Sequence, residues 1–176
     1  MNEIIKKNAI TFGVIMGVFS VLVTSSIYAV NLEYFLKWWV GIITIVISIA
    51  IGVVLVSKTK RQLGGFITFK EAFTTYFLAA IIGSTISVLF SILLFNFIDP
   101  SAKETLRELT IKYTVEVMQK FGAPASEINK MLPELQKADN YSPSSQLFGL
   151  VVGFVISAIF GLILALIFKN KSSQQD

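Results

Sequence analysis

The sequence contains no cysteine and no histidine among its 176 residues. The absence of cysteine excludes disulfide bonds and thiol chemistry. The absence of both residues also removes the usual ligands of zinc, copper, haem and iron–sulfur clusters, so that only a carboxylate-rich metal site is left. The sequence also has no metal-ligand spacing, phosphate loop or dinucleotide fingerprint, so we expect neither a metal site nor a cofactor.

Charged residues are also scarce. They make up 15% of the chain, whereas a soluble domain carries about 25%. Hydrophobic residues make up 54%, and the mean hydropathy is +0.72. This is the composition of a membrane protein, and the length predicts a single domain over residues 1–176.

Four apolar runs are long enough to cross a hydrocarbon layer about 30 Å thick. They cover residues 8–30, 38–57, 72–98 and 147–168, and none of them contains Asp, Glu, Lys or Arg. The first run has the alternative interpretation of a cleavable signal peptide, but the sequence between Ser25 and Ala29 matches a cleavage site poorly. The sequence therefore predicts an all-α polytopic membrane protein with four transmembrane helices.

The segment 99–146, between the third and fourth spans, is rich in charge and predicts an amphipathic helical loop. Ser101 and Glu104 have the spacing of a capping box. Apolar side chains then follow at helical intervals at Leu106, Leu109, Tyr113, Val117 and Phe121. Pro124 is expected to begin a second short helix, which Pro133 interrupts or restarts.

Basic residues indicate the orientation. One side of the membrane would hold both termini and the loop between the second and third spans. Its basic residues are Lys6, Lys7, Lys58, Lys60, Arg61, Lys70, Lys169 and Lys171. The other side has fewer basic residues over a longer stretch, so both termini are predicted to be cytoplasmic and the 99–146 loop extracytoplasmic. The net charge of +4 is then explained by topology, and we expect no nucleic-acid partner.

The stretch from Lys58 to Phe73 links the second and third spans. Lys58, Lys60 and Arg61 are candidates for contact with lipid headgroups. Gly64 and Gly65 permit a turn, and Thr68 and Glu71 have the spacing of a capping box. Three aromatic side chains, Phe66, Phe69 and Phe73, predict that this turn lies at headgroup level.

Small residues indicate where helices approach each other closely. The candidates for helix packing are Gly13, Gly17, Gly83, Gly149, Gly153, Ser157 and Gly161. The third span also has a small and hydroxylated face made of Ala79, Ala80, Gly83, Ser84, Ser87 and Ser91. This face either packs against the groove of the fourth span, from Gly149 to Ala165, or lines a narrow polar pathway.

Two motifs give the chain a family resemblance. The first is Gly64, Gly65, Ile67, Thr68, Phe69, Ala72 and Phe73, and the second is Phe97, Ile98, Asp99 and Pro100. With four helices and a charged helical loop, the chain resembles, over nearly its full length, a family of uncharacterised bacterial inner-membrane proteins known as domain of unknown function forty-one ninety-nine. The resemblance implies this topology and a bacterial inner-membrane location, but no activity.

The spans contain no charged residue, and intramembrane catalysis usually requires one. We therefore expect no catalytic residue and a non-enzymatic accessory or assembly protein that acts through helix packing and its external loop. Its expected partners are membrane lipids, a second copy of the chain or another membrane protein. The alternative is a small carrier or channel subunit for a neutral or weakly polar solute. A membrane enzyme would need external carboxylates, such as Asp99, Glu104 or Glu108, to converge with a metal ion or on a lipid headgroup.

Overall fold

A computed structural model describes residues 2–170, which fold into six α-helices without a β-strand. The helices are α1 (Glu3–Val30), α2 (Trp38–Gln62), α3 (Phe69–Leu93), α4 (Pro100–Lys120), α5 (Ala125–Lys137) and α6 (Pro143–Phe168). A 3-10 helix, Leu32–Leu36, joins α1 to α2, and a π-helical turn, Leu94–Ile98, extends α3. Four helices, α1, α2, the extended α3 and α6, are long and apolar enough to cross a membrane. The chain is an all-α polytopic membrane protein, as predicted.

The four spans run back and forth, so the bundle has two distinct ends. At the terminal end, α1 begins, α2 turns into α3, and α6 ends. At the arm end, α1 turns into α2 through the 3-10 helix, and α3 is followed by α4 and α5. We call α4 and α5 together the arm. Lys171, which contributed to the predicted orientation, lies outside the described residues.

The helices at the terminal end are longer than the apolar runs. α1 begins at Glu3 and α2 continues to Gln62, whereas the predicted spans began at residue 8 and ended at residue 57. Asn2 caps α1, because its side chain accepts a hydrogen bond from a backbone amide of the first turn. Gly64 and Gly65 follow α2 with φ of +78° and +86°, a conformation in which residues with a Cβ are strained.

The predicted capping box at the start of α3 is present. The Glu71 amide donates to the Thr68 hydroxyl at 3.2 Å, and the Thr68 amide donates to the Glu71 carboxylate at 2.9 Å. Two of the first backbone donors of α3 are therefore satisfied by side chains.

α3 is the central helix of the bundle and packs along both α1 and α6. The fully buried residues lie mostly toward the terminal end, among them Leu55, Val56, Ile67, Ala72 and Ala165. Toward the arm end α2 diverges from its neighbours, and an apolar cleft of about 530 Å³ opens between α1 and α2. The bundle is therefore tightly packed at its terminal end, whereas toward the arm end its α1–α2 side is open.

Two details that the sequence predicted for the arm are wrong. The cap of α4 is Asp99, whose carboxylate accepts from the Ser101 and Ala102 amides at 3.1 Å each, and not a Ser101–Glu104 capping box. Pro100 takes the first helical position, so the cap falls one residue before it. α5 continues through Pro133. The carbonyl that loses its helical donor there lies on an exposed helix, where water can reach it.

Candidate functional site

A cavity of about 240 Å³ lies between all four spans near the middle of their length. Ser20 of α1 and Ser48 of α2 face it from one side, and Ser157 of α6 faces it from another. The remaining lining residues are Met16, Tyr76, Ala80, Gly83, Ser84, Ser87 and Val88. Six side-chain hydroxyls thus surround one cavity, and no charged side chain lines it.

The hydroxyls of the cavity fall into two groups. Ser48 donates to the Thr44 carbonyl at 2.8 Å, and Ser84 donates to the Ala80 carbonyl at 2.7 Å, so both are satisfied by the preceding helical turn. The others form no hydrogen bond within residues 2–170; they are Ser20, Tyr76, Ser87 and Ser157. The second group is therefore available to an occupant of the cavity.

Tyr76 is held in place by two glycines. A Cβ on Gly52 of α2 would overlap the Tyr76 ring, and a Cβ on Gly161 of α6 would lie 3.1 Å from it. The side chain is only 6% exposed, yet its hydroxyl has no partner among the described residues. Every fully enclosed side-chain nitrogen or oxygen in this part of the chain is hydrogen-bonded, so the Tyr76 hydroxyl must reach the open space of the cavity.

The small face predicted for α3 contributes to this site only in part. Ala80, Gly83, Ser84 and Ser87 line the cavity, whereas Ala79 and Ser91 do not. The other hydroxyls come from α1, α2 and α6. Sequence spacing within one helix could not reveal that serines of four helices meet at the same depth.

The predicted packing glycines are placed in two different environments. A Cβ on Gly13 would lie 2.9 Å from the Ala79 carbonyl, and one on Gly17 would lie 2.7 Å from the Ile86 Cβ. Gly161 lies against Tyr76, and Ser157 lines the cavity. A Cβ on Gly149 or Gly153 would meet nothing within 4 Å. The structure therefore brings the first part of the α6 groove against no other helix of the described chain.

The predicted headgroup-binding residues Lys58, Lys60 and Arg61 also differ from one another. The Lys58 ammonium lies 5.4 Å from the centre of the Phe12 ring, a cation–π contact. The Lys60 ammonium donates to the Phe168 carbonyl at 2.9 Å, at the C-terminal end of α6. Arg61 is exposed. Two of these three cations therefore hold helices of the bundle together at its terminal end.

Two further contacts close the terminal end. The Asn8 side-chain amide donates to the Thr59 hydroxyl at 3.0 Å and to the Gln62 side chain at 2.6 Å. Asn170 bonds both backbone polar groups of Ile67 at 3.0 Å. The signal for Asn8 in the sequence is a polar residue at the start of an apolar run, but the sequence does not identify its partners.

The remaining residues of the Lys58–Phe73 stretch have different surroundings. Phe66 and Phe69 are 51% and 36% exposed, whereas Ala72 is buried. Phe73 packs against the buried core, and a Cβ on Gly161 of α6 would lie 3.2 Å from its ring. One of the three aromatic side chains expected at headgroup level therefore packs within the bundle.

Carboxylates at the arm end do not form a cluster. Asp99 accepts hydrogen bonds from the Ser101 hydroxyl and from the Tyr28 hydroxyl, the latter at 2.8 Å, and these two bonds lower the pKa of its carboxyl below 3.8. Glu104 lies 3.4 Å from Arg107. No group of three acidic side chains is close enough to hold a metal ion anywhere within residues 2–170.

Comparison with known proteins gives one family. Neither a curated protein nor a solved structure matches the chain. The family described as Protein of unknown function (DUF4199) matches residues 11–170. This range takes in all four spans, the Lys58–Phe73 stretch and the arm, and the chain therefore belongs to the DUF4199 family.

Proposed function

We propose that this integral membrane protein is a non-enzymatic accessory protein of the bacterial inner membrane, whose arm binds another membrane protein outside the cytoplasm. The observation that carries the proposal is the arm itself, which has a firmly packed base and an apolar surface at its far end. The basic residues at the terminal end support a cytoplasmic location of both termini, which puts the arm on the opposite side.

The base of the arm is fixed to the bundle. Leu106 is fully buried and Ala102 is 4% exposed, in a cluster with Leu94 and Phe95. The Lys103 ammonium lies 3.0 Å from the Asp139 carboxylate. A segment held by a packed core and an ion pair keeps a defined orientation, as an interaction surface requires.

The far end of the arm exposes apolar side chains. Phe121, which follows α4 directly, is 88% exposed. Met131 of α5 is 42% exposed, and α5 buries only Ile128 among its thirteen residues. Tyr113 of α4, closer to the bundle and beside the α1–α2 connection, is also 42% exposed. Large aromatic and methionine side chains are enriched at the centres of protein interfaces, so a protein surface is a suitable cover for this end of the arm.

The proposal that the protein is not an enzyme rests on its sequence. It has no histidine or cysteine, and a serine without an adjacent base is a weak nucleophile. An accessory role needs only shape and surface chemistry, which the arm supplies.

A photoreactive phenylalanine derivative in place of Phe121 tests the proposal in native membranes. We expect a crosslink between position 121 and a second protein. The matched control carries the same derivative at Lys130, an exposed polar position of α5, and should crosslink much less. Mass spectrometry of the product separates a different protein from a second copy of this chain.

Two outcomes would contradict the proposal. Recovery of uncrosslinked monomer alone would show that no protein covers the arm. Crosslinks to lipid alone would show that the arm lies on the bilayer surface, which is the other environment that can cover an apolar helix face.

A further inference from the structure

The hydroxyl-lined cavity is polar at a depth where the surroundings are apolar. Ser48 lies about 15 Å from the start of α2, at 1.5 Å per residue, which places the cavity near the middle of the hydrocarbon layer. A hydroxyl transferred from water to an apolar environment without a hydrogen bond is energetically unfavourable. Four of the cavity hydroxyls have no partner in the described chain, so the cavity is unfavourable unless something polar fills it.

We infer that this cavity is a binding site for a small uncharged solute that carries both hydrogen-bond donors and acceptors, such as a polyol. Each hydroxyl of the lining can both donate and accept, which matches the hydroxyl groups of a polyol. The lining contains no Asp, Glu, Lys or Arg. A charged solute would lose its hydration without gaining a counter-charge, and is therefore excluded.

The size of the cavity is consistent with a small organic molecule. Its volume of about 240 Å³ far exceeds the roughly 30 Å³ that one water molecule occupies in the liquid. Ligand sites in proteins combine apolar walls with a few convergent polar groups. Met16, Ala80 and Val88 supply such walls here, and the serines of α1, α3 and α6 supply the polar groups.

Tyr76 closes the cavity on its terminal side. Its ring fills the space between Gly52 and Gly161, and the buried core, including Ala72 and Ala165, lies beyond it. The site is therefore closed to a solute on the terminal side. A carrier function would in addition require the Tyr76 side chain to leave this position, so binding and passage are separate questions.

The absence of native cysteine allows a direct test in the full-length chain reconstituted in liposomes. Single Ser87→Cys and Ser157→Cys variants place a thiol on two walls of the cavity, and a Val155→Cys variant places one on the exposed face of α6, where the side chain is 60% exposed. Methyl methanethiosulfonate, an uncharged reagent, modifies the thiolate, which forms only where water or polar groups are present.

We expect both cavity thiols to react faster than the Val155→Cys thiol and to be protected by glycerol, which is the solute used. At a glycerol concentration about ten times its Kd, the reaction should slow about tenfold, because only about one site in eleven is then empty. Sucrose at the same osmolality is too large for the cavity and should give no protection.

Three results would overturn the inference. Equal and slow reaction at all three positions would show that the cavity is filled by lipid or protein. Fast reaction of the cavity thiols without glycerol protection would show a cavity that holds water alone. Equal protection by sucrose, or protection of the Val155→Cys thiol, would show a general effect of the solutes. The test does not involve the arm, so its result is independent of the proposed accessory function.

Discussion

Gly83 of α3 lies directly against Gly13 of α1: a methyl group on Gly83 would stand 3.1 Å from the Gly13 carbonyl oxygen and 2.8 Å from the Met16 Cβ. The two backbones can approach this closely because neither residue has a side chain. Helix α3 is central to the bundle, so this contact fixes the position of α1 relative to the cavity.

A Gly83→Ala substitution should therefore destabilise the protein by about 1–3 kcal/mol, the usual cost of overpacking. Gly149→Ala and Gly153→Ala are matched controls in α6, where the added methyl group meets nothing within 4 Å. These two should be neutral or slightly stabilising, because alanine favours a helix over glycine. Unfolding followed by circular dichroism in detergent measures all three. Equal effects at the three positions would show that Gly83 has no special packing role.

The small-residue patterns were visible in the sequence, but not their partners. Gly13 with Gly17, and Gly149 with Gly153, have the same spacing. In the structure the first pair lies against α3 and the second pair faces no helix of the described chain. The spacing of small residues indicates only that a second helix can approach closely. Whether a helix packs against them depends on contacts elsewhere in the fold.

Hydrophobic run length and charge were enough to predict the fold class, since a segment in a bilayer must satisfy its backbone internally and a helix does so. The capping box at Thr68 was also predictable, because its two hydrogen bonds are local. The cavity depends on long-range contacts. Tyr76 meets Gly52 and Gly161 from two other helices, and no pattern within one helix carries that information.

Tyr76 allows its ring and its hydroxyl to be tested separately. A Tyr76→Ala substitution empties the space between Gly52 and Gly161 and should cost about 3–5 kcal/mol, as for other large aromatic residues. Tyr76→Phe retains the ring and removes a hydroxyl that has no protein partner, so stability should change by less than about 1 kcal/mol. Chemical unfolding of both variants measures this difference.

The Tyr76→Phe variant also tests the role of the Tyr76 hydroxyl in the cavity. In the Ser87→Cys background, Tyr76→Phe should weaken the protection by glycerol, because one hydrogen-bonding group is lost while the packing is kept. Unchanged protection together with unchanged stability would show that the Tyr76 hydroxyl does not contact the solute.

Lys60 and Arg61 are adjacent but should respond differently to substitution. Lys60 donates to the Phe168 carbonyl at 2.9 Å, where its charge also complements the negative end of the α6 dipole. Lys60→Met should lower the unfolding free energy by about 1 kcal/mol, and Arg61→Met should leave it unchanged. The unfolding free energy should be measured in lipid-free detergent, where headgroup binding contributes nothing. Equal stability of the two variants there would show that Lys60 does not cap the C-terminal end of α6.

Asp99 should make the stability of the arm end sensitive to acid. Hydrogen bonds from the Ser101 hydroxyl, the Tyr28 hydroxyl and the Ala102 amide lower the pKa of the Asp99 carboxyl from its usual 3.8. A carboxyl whose pKa is lower in the folded state stabilises the fold fully above its unfolded pKa, and this contribution is lost as the pH falls through the folded pKa. Thermal unfolding between pH 6 and about pH 2 should therefore show a loss of stability at the acidic end that is smaller in Asp99→Asn.

Tyr28→Phe gives the sharper form of this prediction. It removes one of the hydrogen bonds that favour the ionised carboxyl, so the pKa of Asp99 should rise toward 3.8 while the cap of α4 remains. Carbon-13 NMR of labelled aspartate follows this pKa directly. The control is Glu108→Gln, at an exposed position of α4, which should leave the pKa of Asp99 unchanged. A titration of Asp99 that is the same in Tyr28→Phe and in the unsubstituted protein would show that the bond between α1 and the start of the arm does not form in solution.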